Sequence, residues 1–136
     1  MSALRQAVIG QHVATIEPPD LLVLTFRGVI RAPDVADYVA LRADLLGGQP
    51  YLLTLADLRC VEGIEPACRR SIAAIRDERA QATAFVGGSF RFRVIAELVA
   101  KAARAFAKRR LAFRFFAEEA AARAWLAEMR RTFGGA

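Results

Sequence analysis

Histidine and cysteine are scarce in this chain of 136 residues, which has one histidine and two cysteines. His12 lies far from Cys60 and Cys68 along the sequence, and the cysteines have no Cys-x-x-Cys spacing. A structural zinc site needs about four such ligands, and a catalytic zinc site needs about three. A Ser/His/Asp mechanism would depend on His12 alone as its base. We therefore predict no metal, no cofactor and no enzymatic activity.

Long apolar runs are also lacking. A membrane-spanning helix needs about 20 consecutive apolar residues. The longest uncharged stretch, 45–56, is interrupted by Gly47, Gly48 and Pro50. The apolar run at the N-terminus is too short for a secretory signal. These absences predict a cytoplasmic location and no transmembrane segment.

Acidic residues are few in the C-terminal third. Residues 89–136 contain 4 Asp/Glu and 11 Lys/Arg, whereas residues 1–88 contain 10 Asp/Glu and 9 Lys/Arg. The basic excess is compatible with an anionic partner, and equally with a solvated face of two helices. Nucleic acid is disfavoured as that partner, because aromatic residues do not interleave with the arginines as stacking platforms would.

An opening hairpin is followed by an alternation of helix-like and strand-like segments. The predicted strands span 11–16, 21–26, 51–56, 82–86 and 111–116, and the predicted helices span 33–46, 66–79, about 92–109 and 118–131. We expect the first helix to bury Val39, and the third to bury Val94 and Leu98, among other apolar residues. This alternation requires a largely parallel sheet with right-handed crossovers.

The predicted fold class is therefore α/β. It is a compact, mixed, mostly parallel five-stranded sheet with four helices, in the order β-β-α-β-α-β-α-β-α. We predict a single domain over residues 1–136, with its core at about 11–131.

Three sequence motifs occur in order along this pattern. The hairpin ends in Leu24-Thr-Phe-Arg-Gly28, before the helix start at Pro33-Asp34. An apolar strand ends in Leu53-Thr-Leu-Ala-Asp57-Leu58. The last strand and helix contain Phe115-Phe-Ala-Glu-Glu-Ala120 and Ala124-Trp125-Leu126. In these motifs, and over roughly residues 11–131, the chain resembles the SpoIIAA-like group of the STAS superfamily, which is also associated with Sec14-type lipid binding.

The resemblance implies a SpoIIAA-like fold and a non-enzymatic, regulatory protein-interaction domain. In antagonists of anti-sigma factors from this superfamily, a serine at the start of the second helix is phosphorylated. The matching positions here are Pro66 and Ala67, and Ser71 lies more than one turn later. We therefore expect the phosphorylation switch to be absent. The alternative function that the resemblance implies is binding of a small apolar ligand or of anionic lipid.

Asp57 and the segment after it form the first candidate site. Asp57 either caps the following loop by accepting backbone N–H groups, which we favour, or acts as a base or metal ligand. We expect a loop over 58–65 that presents a protein-contact surface together with helix 66–79. The candidate interaction residues are Asp57, Arg59, Glu62, Glu65, Arg69 and Arg70. The protein partner is unidentified, and a homodimer is left open.

A glycine-rich turn and a basic helix form the second candidate site. Backbone N–H groups at such a turn can bind a phosphate or a lipid headgroup, although a plain turn is the favoured interpretation. The candidate anion- or lipid-binding residues are Gly87, Gly88, Ser89, Arg91, Arg93, Arg104 and Lys108. An apolar pocket between the sheet and the helices is a further alternative to a fully packed core, because small alanines lie beside large phenylalanines.

Overall fold

Six strands and four helices make up the residues that the computed structural model describes, 5–106 and 110–134. The elements are β1 (Arg5–Ile9), β2 (His12–Glu17), β3 (Leu21–Ile30), α1 (Ala32–Leu46), β4 (Tyr51–Ile64), α2 (Pro66–Ala73), β5 (Ala80–Val86), α3 (Phe90–Phe106), β6 (Leu111–Phe116) and α4 (Glu119–Gly134). The strands form one sheet in chain order. The pairs β1–β2 and β2–β3 are antiparallel, and the other pairs are parallel. The predicted α/β class is confirmed.

The predicted strand count is wrong, because β1 precedes the expected hairpin. Ile9 pairs with His12, so Gly10 and Gln11 form a two-residue turn, and Gly10 has a φ of +60°. Glycine is favoured in such turns because it adopts positive φ without steric strain. β1 is an edge strand in which only Ile9 is buried, so it lacks the alternation of apolar residues that identifies a strand.

The segment 58–64 is strand, which corrects the prediction of a loop over 58–65. β3 continues past its expected end at Phe26, and its last residues pair with the extension of β4, from Arg27 with Cys60 to Ile30 with Ile64. Two register shifts interrupt this pairing. Gly28 lies at one of them with a φ of +73°, where β-bulges favour glycine. The extension places Glu65 directly at the start of α2.

The helices differ from the expected ranges mainly at their ends. α2 stops at Ala73 rather than at residue 79, and the carboxylate of Asp77 then accepts the backbone N–H of Arg79 in a turn. α3 begins at Phe90, and residues 107–109 of its predicted range lie outside the described residues. α4 begins at Glu119 and continues to Gly134, beyond the expected end at residue 131.

The two faces of the sheet are covered unequally. α4 packs on one face, where Trp125 and Leu126 contact Leu53 and Leu55 of β4. It is also tied to the sheet by ion pairs from Arg123 to Glu17 and from Arg130 to the buried Asp20. The helices α1, α2 and α3 cover the opposite face. Arg59 of the first candidate site instead pairs with Glu119 of α4.

The exposed face of α3 contradicts the expected burial. Leu98 is 62% exposed and Val94 is 40% exposed, because the helix turns its alanines Ala96, Ala100 and Ala103 toward the sheet. Val39 of α1, also expected inside, is exposed. Small residues let α3 approach the sheet closely, so Val94 and Leu98 point outward, whereas Phe92 remains buried.

Candidate functional site

A cavity of about 160 Å³ lies between the sheet and the helices α1, α2 and α3. Its wall is largely apolar and includes Phe26 and Phe85 of the sheet, Ile72 of α2, and Phe92 and Val99 of α3. Five polar side chains also line it, namely His12, Asp34, Tyr38, Thr54 and Thr83. Neither lysine nor arginine is among the described lining residues. The cavity can therefore accept an apolar group, with a few polar contacts at fixed positions.

A buried histidine–aspartate pair forms one part of the cavity wall. The backbone N–H of Arg27 donates to His12 Nδ1 at 3.0 Å, so the ring proton is on Nε2. Nε2 donates to Asp34 Oδ2 at 3.1 Å, and the backbone N–H of Arg31 donates to the same oxygen at 2.9 Å. Both ring nitrogens are thus used in structural hydrogen bonds. His12 links β2 to the start of α1 and is not placed as a free base.

Asp57 binds Arg59 rather than an external group. Its carboxylate accepts the backbone N–H of Arg59 at 3.0 Å and the guanidinium at 2.9 and 2.8 Å. The same guanidinium donates to Glu119 at 3.1 Å. The hydrogen bonds from Arg59 hold the pKa of Asp57 below its usual value, so the carboxylate stays ionised at neutral pH. Asp57 is therefore a local acceptor that orders β4 where its pairing with β5 ends.

Glu65 joins the starts of two helices. Its Oε1 accepts the backbone N–H of Ala32 at 3.1 Å and lies 3.9 Å from the thiol of Cys68. Burial, and then the charge of Glu65, raise the pKa of the Cys68 thiol, which makes it a poor nucleophile. Glu62 is exposed near the bulge at Gly28. Asp57, Glu62 and Glu65 are therefore not gathered into one acidic site.

Arg69 and Arg70 line a cleft of about 480 Å³ between α2 and α3, together with Arg76. The opposite wall is apolar and consists of Ile95, Leu98, Val99 and Ala102. Within the described chain, none of the three arginines has an ion-pair partner, and the buried Nε of Arg69 has no hydrogen-bond partner. We call this feature the α2–α3 cleft. It combines uncompensated positive charge with exposed apolar surface.

An apolar stripe extends from the α2–α3 cleft along α3. Phe90, Val94 and Leu98 are four residues apart, which places them on one face of the helix. Phe90 is 80% exposed, Leu98 is 62% exposed and Val94 is 40% exposed, so the side chains of this stripe lie largely in solvent. Arg91 is exposed beside it. Contiguous exposed apolar surface of this kind marks interaction sites.

The glycine-rich turn is not arranged as a free anion site. The backbone N–H of Gly87 donates to the carbonyl of Phe116, and the Ser89 hydroxyl accepts the backbone N–H of Phe92. Ser89 therefore caps α3. Gly88 has a φ of +90° and packs against Leu58.

The arginines that were expected to support that turn also bind elsewhere. Arg93 lies over the ring of Phe115, and Arg104 lies over the ring of Phe113 while its Nε donates to the carbonyl of Leu111. Lys108 lies outside the described residues. The structure thus separates the members of this predicted set and engages most of them in local contacts.

Comparison with known proteins places this geometry in a known fold. No protein-family model matches the chain, and no curated protein matches it. A solved structure that it resembles is that of an uncharacterised DUF3478-family protein from Shewanella loihica PV-4, described as having a SpoIIAA-like fold. The two are 18% identical, the match covers 91% of this chain and 92% of that chain, and the TM-score is 0.57.

The chain has a SpoIIAA-like fold. This confirms the fold that the three motifs implied. The SpoIIAA-like neighbour is itself uncharacterised, so it carries no activity or partner to this chain. Among the described residues, no helix is long and apolar enough to cross a membrane.

Several features of this SpoIIAA-like domain were not found by sequence reasoning. The pairing of His12 with Asp34 joins residues 22 positions apart, and only the close approach of β2 and α1 produces it. Arg76 was assigned to no site, although its spacing of six to seven residues from Arg69 and Arg70 offered a weak signal. The sequence did not mark Thr54 and Thr83 as cavity residues, because threonine is common in strands and indicates nothing beyond the strand itself.

Proposed function

We propose that this chain is a non-enzymatic regulatory domain that binds an acidic, amphipathic segment of a partner protein in the α2–α3 cleft. The observation that carries this proposal is the set of three arginines that have no carboxylate partner among the described residues and lie opposite an apolar wall. A segment with carboxylates on one side and apolar residues on the other would complement both walls. Cytoplasmic location and a single domain stay predictions.

Charge supports a protein partner at this place. Arg69, Arg70 and Arg76 bring three positive charges to one cleft, while Glu97 on α3 pairs with Lys101 and does not compensate them. Arginine is enriched at protein interfaces, because its planar guanidinium binds carboxylates through two parallel hydrogen bonds. The buried, unpartnered Nε of Arg69 is a donor that such a carboxylate would satisfy.

The chemistry of the remaining candidate groups supports a role without catalysis. Both nitrogens of His12 are used, the pKa of the Cys68 thiol is raised, and Asp57 is bound by Arg59. Each of these groups therefore has a structural role in the described chain. The proposed function also lacks a phosphorylation switch. Ser71 lies within α2, where its hydroxyl donates to the carbonyl of Ala67.

Charge reversal of the α2–α3 cleft should abolish partner binding. We expect the double variant Arg69→Glu/Arg70→Glu to lose at least tenfold in affinity, since two attractive contacts become repulsive and each factor of ten needs about 1.4 kcal/mol. The measurement is a pull-down from the host with tagged protein, quantified by mass spectrometry, followed by titration of the captured protein. Cross-links from that protein should map to α2 and α3.

The matched control is Arg5→Glu/Arg131→Glu, which changes the net charge by the same amount at two exposed positions away from the cleft. Equal capture by both double variants would contradict the proposal. A membrane role is the competing outcome. Co-sedimentation of the wild-type chain with phosphatidylglycerol vesicles at low salt, lost at high salt and in Phe90→Ser, would favour anionic lipid at the apolar stripe instead.

A further inference from the structure

Two threonines lie side by side on the floor of the cavity beneath the three helices. Thr54 of β4 is the register partner of Thr83 of β5, so the two residues are on neighbouring strands about 4.8 Å apart. Both side chains line the cavity. Thr54 is only 5% exposed. Thr83 is half-buried. Among the described residues, no hydrogen bond joins either hydroxyl to another residue, and neither hydroxyl oxygen is enclosed away from the cavity.

The fold does not require these hydroxyl groups. Valine has the same branched shape and at least the same preference for strands, and it would fill the two positions without a polar atom. Because both hydroxyls open into the cavity, a water or a ligand inside it can satisfy their hydrogen bonds. Two adjacent hydroxyls in a largely apolar wall therefore indicate a polar group on whatever molecule enters the cavity.

The volume limits the size of that molecule. A cavity of about 150 Å³ lined by apolar side chains holds one benzene molecule, and this cavity measures about 160 Å³. It therefore accommodates a single ring or a short alkyl chain. The acyl chains of a phospholipid would not fit without a large rearrangement of α3.

The charges around the cavity limit the class of molecule. None of the described lining residues is a lysine or an arginine, so an anionic ligand would have no counter-charge from them. The carboxylate of Asp34 is held by His12 and by the backbone of Arg31. A neutral hydroxyl or carbonyl group matches the two threonines, because each threonine hydroxyl can both donate and accept a hydrogen bond.

We propose that the cavity binds a neutral molecule of about the size of one aromatic ring, with a single hydroxyl or carbonyl group that hydrogen-bonds to Thr54 and Thr83. The cavity shares Ile95 and Val99 with the α2–α3 cleft, but this proposal does not rest on the function proposed for the cleft. Ile72 and Val99 line the cavity from α2 and α3, the two helices that form the cleft.

Phenol, toluene and benzoate are suitable probes, because they share one ring and differ in the polar group. We expect phenol to bind the wild-type chain, with shifts of the Ile72 and Val35 methyl signals in NMR titrations, because these two residues line the cavity and not the cleft. In Thr54→Val/Thr83→Val, phenol should bind about tenfold more weakly, while toluene binds equally or more tightly. Benzoate should not bind measurably. A control variant, Thr25→Val, lies outside the cavity wall and should bind phenol like the wild type.

Measuring the stability of the same variants distinguishes a loss of ligand contacts from a folding defect. The double valine variant should unfold at the same denaturant concentration as the wild type or at a higher one, because it removes unpartnered hydroxyls without changing shape. The proposal is overturned if phenol binds the wild type and the double variant equally, or if neither phenol nor toluene shifts the cavity signals. Tighter binding of benzoate than of phenol would overturn the assignment of a neutral ligand.

Discussion

Replacing Asp77 with asparagine should lower the free energy of unfolding by about 3 kcal/mol, because it leaves two arginines without their carboxylate. Arg42 of α1 is only 4% exposed, and its Nη2 donates to Asp77 Oδ2 at 2.7 Å. Arg79 donates to the same carboxylate through Nε at 2.9 Å and Nη2 at 2.6 Å. An asparagine has the same shape but no charge, so the buried guanidinium of Arg42 would be uncompensated.

This network also positions the elements that carry the candidate sites. The guanidinium of Arg79 donates to the backbone carbonyls of Leu46 and Gln49, at the end of α1. Asp77 lies in the segment between α2 and β5. The carboxylate thus ties the end of α1 to the segment that follows α2. Its loss should loosen that end of the three-helix layer.

The difference in the free energy of unfolding between the wild type and Asp77→Asn should depend on pH, and the pKa of Asp77 sets this dependence. The hydrogen bonds from Arg79 hold this pKa far below its ordinary value of 3.8. Above that value the carboxylate is ionised in both the folded and the unfolded chain, so the advantage of the wild type over Asp77→Asn should be constant. As the pH falls below 3.8, the unfolded chain takes up the proton first, and the advantage should shrink progressively.

Urea denaturation of both proteins between pH 3 and pH 7 measures this difference. The control is Asp44→Asn, an exposed residue on the same helix as Arg42, which should change the free energy of unfolding by less than about 0.5 kcal/mol. The double variant Arg42→Met/Asp77→Asn should be less destabilised than the sum of its single changes, since it removes the orphaned charge. A constant difference from pH 7 to pH 3 would contradict the pKa assignment.

Much of the fold could be predicted from periodicity alone. β4, β5 and β6 are short apolar runs between amphipathic helices, and such an alternation has few topological solutions. β1 could not be predicted, because an edge strand buries almost nothing and so leaves no apolar pattern. The extension of β4 over 58–64 also depends on pairing, since its partner is the end of β3, which lies about 30 residues earlier in the chain.

The sites were less predictable, for a related reason. Periodicity indicates that α3 has an apolar face, but the choice of face depends on how closely the helix packs. Alanines at 96, 100 and 103 face the sheet, and Leu98 is left at the α2–α3 cleft. Arg69 and Arg70 were identified as charged residues of the second helix, whereas Arg76 lies after the end of α2 and had only its spacing as a signal. The cavity depends on volumes left between side chains, which no local pattern records.

Gly10→Ala should also destabilise the chain by about 3 kcal/mol, through two separate effects. Gly10 has a φ of +60°, where an L-residue with a Cβ is strained by about 1–2 kcal/mol. The new Cβ would also overlap Oδ1 of Asp34. That carboxylate cannot move freely, because its Oδ2 is bound by His12 and by the backbone N–H of Arg31. Displacing it would break buried hydrogen bonds at the start of α1.

Two other glycines separate these effects. Gly28 has a φ of +73°, but its added Cβ would meet the flexible end of the exposed Gln11 side chain, which can move away. Gly28→Ala should therefore show the backbone strain alone, about 1–2 kcal/mol. Gly48 has open space around its Cβ position, so Gly48→Ala should be close to neutral.

Denaturant midpoints of the three alanine variants, with unchanged m-values, measure this ordering. If Gly10→Ala is no more destabilising than Gly28→Ala, the Asp34 carboxylate is free to move, and the pair with His12 is not a rigid part of the cavity wall. If the ordering holds, the hairpin turn at Gly10 and the start of α1 form one packed unit. The close approach at Gly10 then explains why glycine is needed in a turn that asparagine could otherwise occupy.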